Sequence, residues 1–345
     1  MYGDELTGRK KAILKAVVES YIENGDPVGS KSLQMLPGMK CSSATIRNEM
    51  AELEDMGYLE QPHTSAGRIP SQAAYRYYVD NLMTAYEPGA EEQDRLRIWL
   101  SSFSGEPNQL IEKAGSILSE LTNCVAVASA PSDSEALIKR IELVPLSPHT
   151  ALVVLLATSG ILKSAVVRAD AEINVDVATV FYNVVQAHFV GKCVSDINMS
   201  FIQTLVASLG DKAFIMSPLF CTVSDLCSQV GNKQLHLKGQ SNILNHPEFS
   251  DNAFRLMDFL HREAPLETLL DSYKKPLNVS IGTENPYKEL RNTTAIFSKY
   301  SVGDRDSGAI GIIGPTRIDY ARLIPYIKHL AGVIGSLLSQ TLNEE

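Results

Sequence analysis

Ser42-Ser43-Ala44-Thr45-Ile46-Arg47-Asn48-Glu49-Met50-Ala51-Glu52-Leu53-Glu54 is followed, after Gly57, by Tyr58-Leu59-Glu60-Gln61-Pro62-His63-Thr64-Ser65-Ala66-Gly67-Arg68-Ile69-Pro70. In the first stretch Ile46, Met50 and Leu53 recur at helical spacing, Ser42 or Ser43 supplies an N-cap oxygen, and Gly57 ends the run. In the second, two short extended runs flank a Thr-Ser-Ala-Gly turn, the pattern of a small hairpin.

Upstream, residues 6–24 carry Ile13, Leu14, Val17, Val18, Tyr21 and Ile22 at three- and four-residue steps, which predicts a helix closed by Gly25. Asp26-Pro27-Val28-Gly29 turns the chain, and residues 30–36 fit a short helix that turns Leu33 and Leu36 inward before Pro37-Gly38. Three short helices with a tight break before the third, then a hairpin, predict a winged helix-turn-helix over residues 1–85. Residues 73–82 continue as a helix whose Tyr75, Tyr77 and Tyr78 read as core.

On this reading the start of the third helix, with Ser43, Ala44, Thr45, Arg47 and Asn48, meets base edges. Arginine suits guanine, asparagine adenine, and threonine a hydrogen bond or a thymine methyl. An arginine and an asparagine on an arbitrary helix merely solvate it; the adjoining hairpin gives them a reason to face DNA. Ser30 and Lys31 at the start of the second helix are expected to hold a phosphate, and Arg68, with His63 and Thr64, to reach backbone or minor groove from the wing.

The overall charge runs against this, because the net charge of the 345 residues is −9. Residues 1–85 hold nine lysines and arginines against eleven acids, a net of −2, which leaves −7 for the remainder. If the first segment binds a polyanion, its cations must gather on one face while its carboxylates are occupied elsewhere.

Beyond Glu87-Pro88-Gly89-Ala90 comes an amphipathic helix at 93–103, taken as a linker over 86–105, and then a helix at 109–121. Residues 125–130, 137–144, 151–157 and 161–167 are rich in Val, Ile and Leu and read as strands. Helical periodicity returns at 175–189, 200–209 and 214–230, strands at 277–281, 294–300 and 309–313, and a terminal amphipathic helix spans 320–342. Strands, then helices, then strands predict an α+β chain in which a sheet domain, 106–170 with 251–345, is interrupted by a helical insertion at 171–250. A two-fold interface would bury the apolar helix faces of that insertion.

Other chemistry finds little support. Cys41, Cys124, Cys193, Cys221 and Cys227 form no Cys-x-x-Cys pair and read as free thiols in a reducing cytoplasm, and the histidines show no metal-ligand spacing. No cofactor and no metal are expected. The polar start Met1-Tyr2-Gly3-Asp4-Glu5 carries no export signal, and no apolar run approaches the roughly 18 residues of a membrane span. Gly308-Ala309-Ile310-Gly311-Ile312-Ile313-Gly314 reads as a buried strand, since no βαβ unit with a later acid surrounds it. No nucleophile elbow or phosphate-binding loop is present, so an enzyme is not expected.

The two quoted stretches, with Tyr75-Arg76-Tyr77-Tyr78-Val79-Asp80, resemble the HrcA family of heat-inducible transcription repressors. The resemblance resumes in Leu244-Asn245-His246-Pro247-Glu248-Phe249, Ile281-Gly282-Thr283-Glu284-Asn285 and Gly311-Ile312-Ile313-Gly314-Pro315-Thr316-Arg317, so it covers essentially the whole chain. It implies a homodimer that binds the inverted-repeat CIRCE element of double-stranded DNA and depends on the GroE chaperonin for its active fold. It also implies a GAF-like domain with an inserted dimerisation domain. A GAF-like fold raises an alternative, a regulator that senses a small-molecule effector.

Overall fold

The computed structural model describes residues 6–63, 66–86, 88–103, 107–302 and 305–343. Helices α1 (Gly8–Asn24), α2 (Ser30–Gln34) and α3 (Ser43–Asp55) lead into a hairpin of β1 (Leu59–Glu60) and β2 (Ile69–Pro70). α4 (Gln72–Tyr77) follows and continues as a π-helical turn, Tyr78–Leu82. α1 begins on the Thr7 hydroxyl, which accepts from Lys10 N, and ends at Gly25, whose φ of 76° permits the left-handed cap.

α5 (Ala90–Ser101) and α6 (Pro107–Thr122) lead to β3 (Val125–Ser129). Next come β4 (Ile138–Ser147), β5 (Thr150–Ala157) and β6 (Leu162–Arg168), then α7 (Val175–His188), α8 (Met199–Ala207) and α9 (Ala213–Gly231). The chain closes with β7 (Leu235–Lys238), α10 (Ala253–His261), α11 (Glu263–Ser272), β8 (Leu277–Ile281), β9 (Thr293–Val302), β10 (Arg305–Pro315) and α12 (Tyr320–Asn343). The fold is α+β, as the sequence predicts.

Two larger sheets divide the rest of the molecule. A five-stranded antiparallel sheet runs β7-β3-β10-β9-β8. Alternate residues point to opposite faces, and both faces are covered. Ala126, Ala128, Ile296, Tyr300, Ile310 and Ile312 pack in one core with α6 and α12. Val125, Val127, Phe297 and Ile313 pack on the other side in a core with Leu256, Phe259, Leu266 and Leu269 of α10 and α11. The Gly308–Gly314 stretch is the middle of β10, a buried strand.

The second sheet, β4-β5-β6, corrects the expected domain division. Its strands do not join the five-stranded sheet; they form a separate core, residues 136–230, with α7, α8 and α9. The inserted unit is therefore itself α+β, where the sequence suggested helices alone over 171–250. Residues 235–238 return to the main sheet by pairing with β3. β5 explains the difference: it alternates buried and half-buried residues, because only its inner face is packed on helices, yet its sequence TALVVLLA is apolar on both faces. Sequence alone cannot separate such a strand from one buried between two layers.

α9 falls within the segment Gly210–Gly231, which is long and apolar enough to cross a membrane, but Leu219, Phe220, Val223, Leu226 and Val230 are buried against the β4-β5-β6 sheet and its helices. Here that composition belongs to a core helix.

Candidate nucleic-acid interface

The core of the N-terminal unit fixes which face of α3 is free. Ile46, Met50 and Leu53 are buried against Ile13, Leu14, Val17 and Val18 of α1 and Leu33 of α2. Ser42 is the N-cap: its hydroxyl accepts from Thr45 N at 3.2 Å and lies 2.9 Å from Thr45 Oγ1. Ser43 is thus the first helical residue, half-buried, and the Thr45 hydroxyl is engaged locally. Ala44, Arg47 and Asn48 share one exposed flank, separated by one turn as an outward face requires. Among the described residues neither Arg47 nor Asn48 has a side-chain partner.

The acidic residues of α3 are different. Glu49 lies 3.3 Å from Arg9 Nη1 and 3.2 Å from Lys10 Nζ, and Glu52 lies 2.7 Å from the same ammonium. Hydrogen bonds to Glu52 and Glu49 hold the Lys10 ammonium above its ordinary pKa. Glu54 accepts from Arg68 Nε and Nη2, each at 2.7 Å. Three carboxylates that would repel a phosphate backbone are thereby neutralised by cations of α1 and the hairpin, while the guanidinium of Arg47 stays bare. The net −2 of this segment is compatible with a cationic flank for that reason.

Arg68 departs from expectation. Instead of reaching outward from the wing it pairs with Glu54, and its backbone exchanges two hydrogen bonds with Val28, N to O at 2.8 and 2.9 Å. Val28 thus adds a third extended segment beside β2, a feature absent from the sequence reading because one residue carries no periodicity. Gly67 makes the approach possible: a Cβ there would overlap the Val28 carbonyl. His63 is exposed near the tip, where its carbonyl accepts from Ala66 N at 2.9 Å. Thr64 lies outside the described residues.

Lys31 is exposed on α2, a helix of only five residues whose N-cap, Gly29, offers no side-chain oxygen, and Ser30 is half-buried. The phosphate seat expected on that helix end is therefore reduced to the Lys31 charge. Lys40, exposed before α3, is a cation that the sequence reading passed over. The tyrosines of α4 and of the π-helical turn after it are core, as predicted: Tyr75 and Tyr78 are buried, and Tyr77 packs edge-on to Tyr58 at 5.4 Å. Among the described residues no group of three or more His, Cys, Asp or Glu is arranged to hold a metal.

A family profile described as "HrcA protein C terminal domain" matches residues 108–324. A "Heat-inducible transcription repressor HrcA" of Acetivibrio thermocellus is 35% identical over 336 residues, covering 96% of this chain and 95% of its own length. That of Caldanaerobacter subterraneus subsp. tengcongensis is also 35% identical, over 343 residues and 99% of each chain. A solved structure described only as a hypothetical protein at 2.2 Å resolution shares the fold, with a TM-score of 0.71 at 22% identity over 98% of this chain and 100% of its own. The class these relatives define is the transcription repressor, which is not a class of enzyme. The chain belongs to the HrcA family of heat-inducible transcription repressors, the regulators of a heat-shock stress response.

Proposed function

We propose that residues 8–82 act as a winged helix-turn-helix, with α3 in the major groove of double-stranded DNA and the β1–β2 hairpin as its wing. The single observation that carries this is the division of charge on α3: Glu49, Glu52 and Glu54 are each occupied by a cation, and Arg47 and Asn48 stand on one exposed flank without a side-chain partner among the described residues. Arg47 is suited to the O6 and N7 of guanine and Asn48 to adenine, while Ala44 and the Thr45 methyl offer apolar contact to thymine. The charges of Lys31 and Lys40 and the exposed hairpin residue His63, joined on the sequence expectation by Thr64, supply phosphate contacts that set register. Ser43 adjoins the first base step. Arg68 supports the wing through Glu54.

The family membership supports the finer reading. In it the protein is a homodimer bound to a CIRCE-type inverted repeat, its core sheet unit is GAF-like, and its active fold depends on the GroE chaperonin. The insertion is proposed to make the dimer. Support comes from the outward face of β4-β5-β6, where the register Val144–Leu152–Val166 forms an apolar row and Val166 and Leu162 are 63% and 60% exposed. The site of action would be the cytoplasm, where the DNA is.

Fluorescence anisotropy tests this. Full-length protein is titrated with an inverted-repeat duplex and a scrambled duplex of equal length at one salt concentration, with and without chaperonin. Binding to the repeat alone supports the reading, and equal weak binding to both by a folded protein rejects it. A second reading, effector sensing, is favoured by a half-open cavity of about 290 Å³ beside α12, lined by His246, Arg317, Arg322 and Tyr326. A small-molecule-dependent rise in Tm would promote it.

A further inference from the structure

Two C-terminal motifs lie far in sequence from the residues proposed to touch DNA, yet both end on the N-terminal unit. In Ile281-Gly282-Thr283-Glu284-Asn285, Thr283 donates through N and Oγ1 to Gln72 Oε1 at 3.0 and 2.9 Å, and Gln72 Nε2 donates to the Arg291 carbonyl at 3.3 Å. Gly282, with φ of 57°, leaves the space Gln72 fills; a Cβ there would overlap that side chain. Beside it Arg76 donates from Nε to Glu284 Oε1 at 2.8 Å, from Nη2 to the second Glu284 oxygen, and again to the Val279 carbonyl at 2.6 Å. Glu284 in turn accepts from Ile281 N at 2.9 Å, so the ion pair is anchored in the end of β8.

The second motif ends at Arg317. Its Nη1 donates to the Ile22 carbonyl at 3.1 Å, in the last turn of α1, and its Nε to Glu248 at 3.0 Å. Carbonyls in a helix's last turn lack intrahelical partners, so this guanidinium caps α1 from the sheet unit. α1 carries Arg9 and Lys10, which hold Glu49 and Glu52 of α3. The attachment therefore reaches α3 through α1. Between these polar contacts Tyr75 packs on Tyr320 with ring centroids 5.7 Å apart, inside a hydrophobic core that runs unbroken from α1 to α12.

We propose that Gln72, Arg76, Glu284 and Arg317 are positioning residues, which lock the DNA-reading unit onto the sheet unit in one orientation and so make the repressor selective for the spacing of its two half-sites. The inference rests on the reading of the protein as a DNA-binding dimer. A dimer reads both half-sites at once only if its two α3 helices are held a fixed distance and rotation apart, since half-sites face the same side of DNA once per turn. Units joined by a mobile tether tolerate altered spacing, and rigid ones do not.

The test is anisotropy of the full-length protein on inverted repeats whose spacer is lengthened in single base-pair steps up to about half a turn, or about 5 base pairs. Wild type should show one sharp optimum and lose about a hundredfold in affinity at half a turn. R76A/R317A should still bind an isolated half-site like wild type, but the loss at half a turn should shrink to roughly tenfold or less. R317K in an otherwise unchanged protein, which keeps a donor for the Ile22 carbonyl, should retain the sharp wild-type optimum. E284Q, isosteric and uncharged, makes the same test should the double variant fail to fold. A profile as sharp as wild type in folded variants overturns the proposal, as does tighter binding at the natural spacing, which would mean the contacts restrain a non-binding orientation. Failure of wild type to prefer any repeat over a scrambled duplex overturns the DNA-binding reading itself, and the proposal with it.

Discussion

The Arg68 guanidinium donates to the Glu54 carboxylate from two nitrogens, each at 2.7 Å, across the gap between the hairpin and the end of α3. Both side chains are mostly shielded, at 20% and 32% exposure, so the pair is screened less than an open surface bridge. Removing the carboxylate charge while keeping its shape should release a cation next to the proposed groove. Glu54→Gln is expected to raise affinity for every duplex, specific or scrambled, and to steepen the slope of log Kd against log salt by about 1. A salt titration of the two proteins checks it; an unchanged slope would mean Arg68 serves only to hold the hairpin.

Arg47 and Asn48 have no partner to lose among the described residues, so replacing them should leave the fold intact. Arg47→Ala is expected to weaken specific binding by about 1–3 kcal/mol and to relax preference at one base position, with Tm within about 1 °C of wild type because surface changes of this kind are nearly neutral. Asn48→Ala should relax a different position. Competition against single-base operator variants measures both. Loss of affinity by the same factor on all sequences would make Arg47 a phosphate contact.

Much of the N-terminal unit was legible because its helices declare themselves locally: Ile46, Met50 and Leu53 mark the buried side of α3, and the flank carrying Arg47 and Asn48 follows by geometry. The sequence offers two serines for the N-cap, and Ser42 holds it. What escaped depends on contacts distant in sequence. The engagement of Arg68 by Glu54 and the pairing of Val28 with Arg68 arise only when the hairpin folds back. The assignment of β4–β6 to the inserted unit was hidden because Val153 and Val154, or Leu155 and Leu156, look alike in sequence although one of each pair is buried and the other is not. α10 and α11 do carry their buried residues at helical spacing, Leu256, Phe259 and Leu260 in one and Leu266, Leu269 and Leu270 in the other, but they are only nine and ten residues long and are separated by a single residue, Arg262.

Cys124 and Cys227 are buried, and burial pushes the thiols up to about 11 and about 12. Both should resist iodoacetamide at pH 7.5, while half-exposed Cys41, Cys193 and Cys221 react, as mass spectrometry after timed labelling would read. The linkage has a definite sign. A thiol whose pKa is higher folded than unfolded binds its proton more tightly in the native state, so its contribution to stability is complete below the unfolded value of about 8.5. It is lost as pH rises through about 11 and about 12. Tm should therefore fall between about pH 8.5 and the alkaline limit of the measurement, and Cys124→Ser should behave differently from Cys124→Ala, which keeps the site apolar.

The insertion offers the clearest test of assembly. Val144, Leu152 and Val166 lie side by side across three strands, and Leu162 extends the patch along β6, on the face opposite the helices. An antiparallel sheet tolerates a wet outer face, but such faces are ordinarily polar, so an apolar row costs solubility unless something covers it. If a second copy covers it, a charge there must be buried without a partner in the dimer and remain solvated in the monomer. Val166→Asp is therefore expected to shift sedimentation toward the monomer with little change in the far-ultraviolet circular dichroism, and to cost affinity for the full inverted repeat far more than for an isolated half-site. Should Val166→Asp remain dimeric at micromolar concentration, the proposed interface moves elsewhere on the inserted unit. The next candidates are the helical residues Val175 and Phe214, 81% and 68% exposed.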